Sequence, residues 1–172
     1  VGLELLSLSL YALVAFDRES GPAAEAAIKY FVLGALASGV LLYGMSILYG
    51  LTGTLELDAL SARLGNNPGF GFILAVSFVV VAIAFKFGAV PFHMWTPDVY
   101  QGAPTASATL VATVSKIGSF AMAFRLLAEG MGGQSAEWSQ MLGVLAVLSV
   151  VAGNVIAIAQ TSLLRMLAYS AI

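Results

Sequence analysis

A lone lysine near the end of a long apolar run, with a proline shortly after it, constrains this chain more than any other feature. In residues 71–104, GFILAVSFVVVAIAFKFGAVPFHMWTPDVYQGAP, the run is uncharged up to Lys86 and then meets Pro91, Pro97, Gly102 and Pro104. The run is long enough to enter a bilayer as a helix. Proline removes a backbone donor and clashes with the preceding turn, so residues 87–91 are expected to be kinked or unwound, with Pro91 as the cause. Inside a membrane, such a break survives only where neighbouring helices, polar side chains or water satisfy the freed backbone groups. The pattern therefore predicts a polar interior beside a buried cation, the arrangement from which ion carriers build their pathways.

Composition agrees with a membrane setting: 60% of residues are hydrophobic and 9% charged, where soluble domains carry roughly 45–50% and about 25%. The absence of cysteine excludes disulfide frameworks, thiolate metal sites and cysteine nucleophiles. A net charge of -2 without a basic cluster predicts no nucleic-acid surface. Lys29, Lys86 and Lys116 all lie inside apolar stretches, whereas Arg18, Arg63, Arg125 and Arg165 lie at or near their ends. A lysine at mid-membrane costs about 2.5–3.5 kcal/mol on insertion scales, so this placement points to function. Valine at position 1 of an apolar run and an open pattern at the other end, LLRMLAYSAI, lead us to expect a piece of a longer membrane protein. No basic segment precedes the first apolar run, so no signal peptide is expected.

The sequence predicts an all-α polytopic membrane protein with five transmembrane helices and the start of a sixth, forming a single domain over residues 1–172. The spans are expected near 1–16, 23–50, 70–100 (broken near 87–91), 105–128 and 138–158, with the next helix beginning within 161–172. Glu4 sits about 18 Å before the polar exit Asp17-Arg18-Glu19, near mid-membrane, unless the first helix begins at the interface. Gly21-Pro22 opens the second helix. Glu25 and Lys29, four apart, share one of its faces, and Ala35, Ser38 and Gly39 form a small-residue packing face. Residues 51–69 read as a polar connection with a short amphipathic piece along the membrane surface. His93 is either structural or, with an unperturbed pKa of about 6.5, a proton relay. Asp98, between Pro97 and Pro104, is expected to cap or turn the chain. Lys116 lies about 17 Å into the fourth span, among Ser107, Thr109, Thr113, Ser115 and Ser119. The arginines divide evenly between the two faces and leave orientation open.

Glu4, Lys29, Lys86, His93 and Lys116 thus form an ionisable set on four consecutive spans. A membrane-buried lysine exchanges its proton closer to neutral pH than a free one, and a neighbouring carboxylate opposes that shift. A carboxylate–lysine pair followed by further lysines can act as a chain of coupled proton sites. Ion or proton transport is the first reading, with transport of an anionic solute and structural ion pairs in a scaffold as alternatives. HExxH, GxSxG and Walker motifs are absent and there is one histidine, so nothing supports catalysis on a bound substrate.

The combination of Phe85-Lys86, VPFHMWTPDVYQGAPT at 90–105 and ATVSK ending at Lys116 resembles the proton-translocating domain of the antiporter-like subunits of respiratory complex I, the NADH:quinone oxidoreductase. GLELLSLSLYALVAF and EAAIKYFVLGALASG upstream extend the likeness to the whole chain. The resemblance implies the family's fifth to ninth helices and the start of the tenth, most of the first of two inverted five-helix repeats. It implies that Glu4 and Lys29 form a coupling ion pair, that Lys86 beside the break accepts protons, and that His93 and Lys116 relay them. It places the end of the first span on the cytoplasmic side of a bacterial inner membrane. Other membrane-arm subunits, lipid, protons and internal water are its implied partners. No cofactor is expected in this chain; flavin, iron–sulfur clusters and quinone belong to other subunits. A related alternative is a subunit of a multi-subunit cation/proton antiporter.

Overall fold

A computed structural model of the chain describes residues 1–65 and 69–172. Eight α-helices follow one another, and no strand occurs among the described residues: α1 Gly2–Val14, α2 Gly21–Thr52, α3 Leu57–Leu64, α4 Phe70–Phe87, α5 Trp95–Gly102, α6 Thr105–Ala123, α7 Ser135–Ile158 and α8 Leu163–Ser170. α6 runs on through a π-helical turn, Phe124–Glu129, and a 3₁₀ turn, Gly132–Gln134, leads into α7. The architecture is all-α, as the hydropathy pattern predicts. Among the described residues, four helical stretches are long and apolar enough to cross a membrane: Gly21–Thr52, Phe70–Phe87, Thr105–Glu129 and Gly132–Ile158. α1 is apolar but shorter, 13 residues where a span over 1–16 is expected. Residues 66–68 of the expected polar connection lie outside the described ones; the amphipathic piece forms α3, with Arg63 donating to the Thr52 carbonyl at 2.9 Å.

Local chemistry sets several helix ends. Ser20 caps α2, its Oγ accepting from the Ala23 amide at 3.3 Å, and Pro22 occupies the first turn. α2 ends at Gly53 in the left-handed region. At 32 residues α2 is about 48 Å long, more than a bilayer core needs, so it tilts or projects. α4 is the most enclosed of the four stretches and α7 the least. Val144, Val147, Val151 and Val155 stand exposed along α7, an apolar surface suited to lipid or to other helices.

The break after α4 differs in cause from the sequence expectation. Gly88, at φ 74°, ends the helix: its amide donates to the Phe85 carbonyl and the Ala89 amide reaches back to Ala84 at 2.8 Å. That is a Schellman closure, which glycine accommodates without a Cβ penalty. Pro91 lies three residues further on, inside the break rather than at its origin. Trp95 Nε1 then donates to the Phe85 carbonyl at 3.0 Å, tying α5 back onto the end of α4, and the Val90 amide donates to Ser149 Oγ at 2.9 Å. A Cβ on residue 88 would lie 2.6 Å from Thr96 Oγ1. Gly88→Ala is therefore expected to cost about 1–3 kcal/mol through combined backbone strain and crowding. A lowered thermal midpoint of helix loss in the solubilised protein is the check.

Candidate functional site

Lys86 occupies the last turn of α4, where the negative end of the helix dipole favours a cation. Its side chain is 5% exposed, so its charge requires partners. The Nζ donates to Ser7 Oγ at 2.6 Å and lies 3.4 Å from Glu4 Oε2. The same Glu4 oxygen accepts from Ser38 Oγ at 2.6 Å. α1 thus supplies a carboxylate and a hydroxyl, α2 a second hydroxyl and α4 the amine. Glu4 is 38% exposed and stands on the wall of a cavity of about 700 Å³, otherwise largely lined by leucine and methionine, that reaches Lys86. The carboxylate is the accessible member of the pair and the amine the enclosed one.

The expected Glu4–Lys29 pair does not form. α1 and α2 run antiparallel after a tight turn, and the Glu4–Ser38 and Tyr11–Tyr30 contacts fix their register. Glu4 therefore stands about nine residues, or ~14 Å, further along α2 than Lys29. Lys29 instead pairs with Glu25 at 2.7 Å and with Asp98 at 2.8 Å. Asp98 is likewise not the cap or turn residue expected: it makes no capping hydrogen bond, and its second oxygen binds Arg165 at 2.7 Å.

His93 lies in the break, half-buried, with Nδ1 lacking a hydrogen-bond partner among the described residues and its ring 6.1 Å from that of Tyr169. Lys116 donates to the Ala171 carbonyl. No hydrogen bond joins either residue to Lys86 among the described residues, but His93 lies beside Tyr169 in the last turn of α8 and Lys116 binds Ala171, the residue that follows that helix. The five expected residues thus divide into three groups: Glu4 with Lys86, Lys29 with Asp98, and His93 with Lys116 beside α8. Sequence reasoning missed Ser7, Asp98 and Arg165, and took Ser38 for packing alone. Ser7 had a signal, since it follows Glu4 by three and shares its helix face; the reach of Arg165 to α5 had none.

The family described as NADH:quinone oxidoreductase/Mrp antiporter, TM, matches residues 1–172. NADH-quinone oxidoreductase subunit N of Thioalkalivibrio sulfidiphilus is 57% identical over 175 residues, covering 100% of this chain and 36% of that protein. Among solved structures, respiratory complex I from Thermus thermophilus with bound aureothin contains a chain that is similar with TM-score 0.83 and 43% identity, over 98% of this chain and 36% of that one. The membrane-bound sulfane sulfur reductase, an archaeal respiratory membrane complex, is similar with TM-score 0.83 and 32% identity, over 99% of this chain and 35% of its match. The chain spans about a third of the length of the curated relatives it matches.

Proposed function

The chain belongs to the transmembrane family of NADH:quinone oxidoreductase and Mrp antiporter subunits, and on that premise we propose that it carries a proton-translocating half-site of a membrane subunit of NADH:quinone oxidoreductase. The observation that carries the reading is the Glu4–Lys86 pair, an enclosed amine held against an accessible carboxylate at the end of a broken helix. A proton delivered to Glu4 removes the charge that holds Lys86 protonated, and Lys86 then releases its own proton toward the break. Internal water carries it past His93 to Lys116, the two groups that face α8. Redox chemistry, with flavin, iron–sulfur clusters and quinone, takes place in partner subunits of a bacterial inner-membrane complex.

A cation/proton antiporter subunit is the second reading, favoured by the family's dual description, which names Mrp antiporters beside NADH:quinone oxidoreductase. Partners that copurify with the full-length protein separate the two: redox subunits select the first. For the site itself, Glu4→Gln in the full-length protein within its assembled complex is expected to lower the protons pumped per NADH oxidised by about fivefold or more, since Lys86 then loses its carboxylate. A wild-type ratio in sealed vesicles, with assembly intact, reduces the pair to scaffolding.

A further inference from the structure

Asp98 takes no part in the Glu4–Lys86 pair, yet it binds two cations from two other helices, Lys29 of α2 at 2.8 Å and Arg165 of α8 at 2.7 Å. Gln101, one turn on, accepts from the same guanidinium. Glu25, Lys29, Asp98, Gln101 and Arg165 together line a cleft of about 370 Å³. Lys29 is 44% exposed there and Asp98 24%, so the lysine is the member that meets solvent. Asp98 lies in the first turn of α5, whose start is pinned to the end of α4 through Trp95. α8, held by Arg165, is also the element against which His93 and Lys116 rest.

We propose that Asp98 is a positioning residue: by holding Lys29 of α2 and Arg165 of α8 at once, it fixes α8 and so the place of the groups that receive the proton. This rests on the proton-translocating reading above. Lys29 is shared between Glu25 and Asp98. With Lys29 charged between the two carboxylates, Asp98 is divided between α2 and α8 and holds α5 against both; removing the Lys29 charge would leave Asp98 with Arg165 as its one cation. The link runs along charges from three helices and does not pass through Glu4.

The test uses the full-length protein in its assembled complex, in sealed vesicles, with protons pumped per NADH oxidised as the readout. Asp98→Asn keeps the shape and removes the charge; its ratio is expected to fall about threefold or more. Asp98→Glu keeps the charge in a larger side chain and is expected to restore most of the loss. Lys29→Gln is expected to match Asp98→Asn, and the double variant to be no worse than either, because the two act through one contact. A wild-type ratio in Asp98→Asn, an equal or larger loss in Asp98→Glu, or an additive double variant overturns the proposal. If Asp98→Asn does not assemble, Lys29→Gln decides, and a wild-type ratio there overturns it. Glu4→Gln measured in parallel separates the failures: loss in Glu4→Gln beside normal pumping in Asp98→Asn removes the role of Asp98 alone, whereas normal pumping in Glu4→Gln removes the underlying reading.

Discussion

Lys86→Ala in the full-length complex is expected to lower pumping in sealed vesicles by about tenfold or more relative to NADH oxidation in the same preparation, in line with the removal of a proton-transferring group. Lys86 is the amine at which Glu4 and Ser7 converge, and its loss leaves Ser38 as the one hydrogen-bond partner of Glu4 among the described residues. The Lys86→Arg variant sharpens the result. Guanidinium can keep an ion pair with Glu4, but it does not give up its proton in proteins, so an exchange site converted to arginine stops conducting even where the pair survives. Pumping by Lys86→Arg at the wild-type ratio is the outcome that would reduce Lys86 to a fixed counter-charge for Glu4.

Gly34→Leu is expected to prevent assembly of the complex. A Cβ at residue 34 would fall on the Tyr11 hydroxyl, and Tyr11 has little room to retreat: its ring meets Tyr30 edge-on at 4.6 Å and Phe31 at 5.7 Å. Overpacking of this kind costs about 1–3 kcal/mol even for small additions. The consequence reaches the site, because the α1–α2 contact that Gly34 permits is the one that sets Glu4 level with Ser38. Gly34→Ala, the milder change, is expected to assemble with lowered thermal stability, and Tyr11→Leu in the same chain to recover part of the loss by removing the clashing atoms. Undiminished assembly of Gly34→Leu would mean that α1 and α2 repack without their present register. Native electrophoresis of the solubilised complex distinguishes these outcomes.

The two results concern different links between sequence and structure. Apolar runs, the cap at Ser20 and the closing glycines act over four or five residues, so helix type and approximate extent were readable along the chain, and Lys86 stood out because a cation in an apolar helix is costly wherever its partners lie. Even the cause of the break was locally encoded: a glycine after an apolar helix and before a proline is a helix-end signature, and weight given to Pro91 obscured it. The resemblance to complex I subunits pointed to the ionisable set residue by residue, but it paired Glu4 with Lys29.

The partners were decided by tertiary structure. Which carboxylate meets which cation depends on the register between helices, and that register follows from the length of the 15–20 turn, from close packing at Gly34 and from the return of α5 onto α4 after the break. Shifting α1 along α2 by nine residues leaves every local propensity unchanged while exchanging one ion pair for another. For the same reason Asp98, unremarkable between two prolines in the sequence, joins three helices in the fold. The sequence alone determined that this chain places charges inside a bundle of apolar helices; the packing determined that Glu4 faces Lys86 and that Lys29 faces Asp98, because side chains far apart in the chain are brought together only by the geometry of the whole.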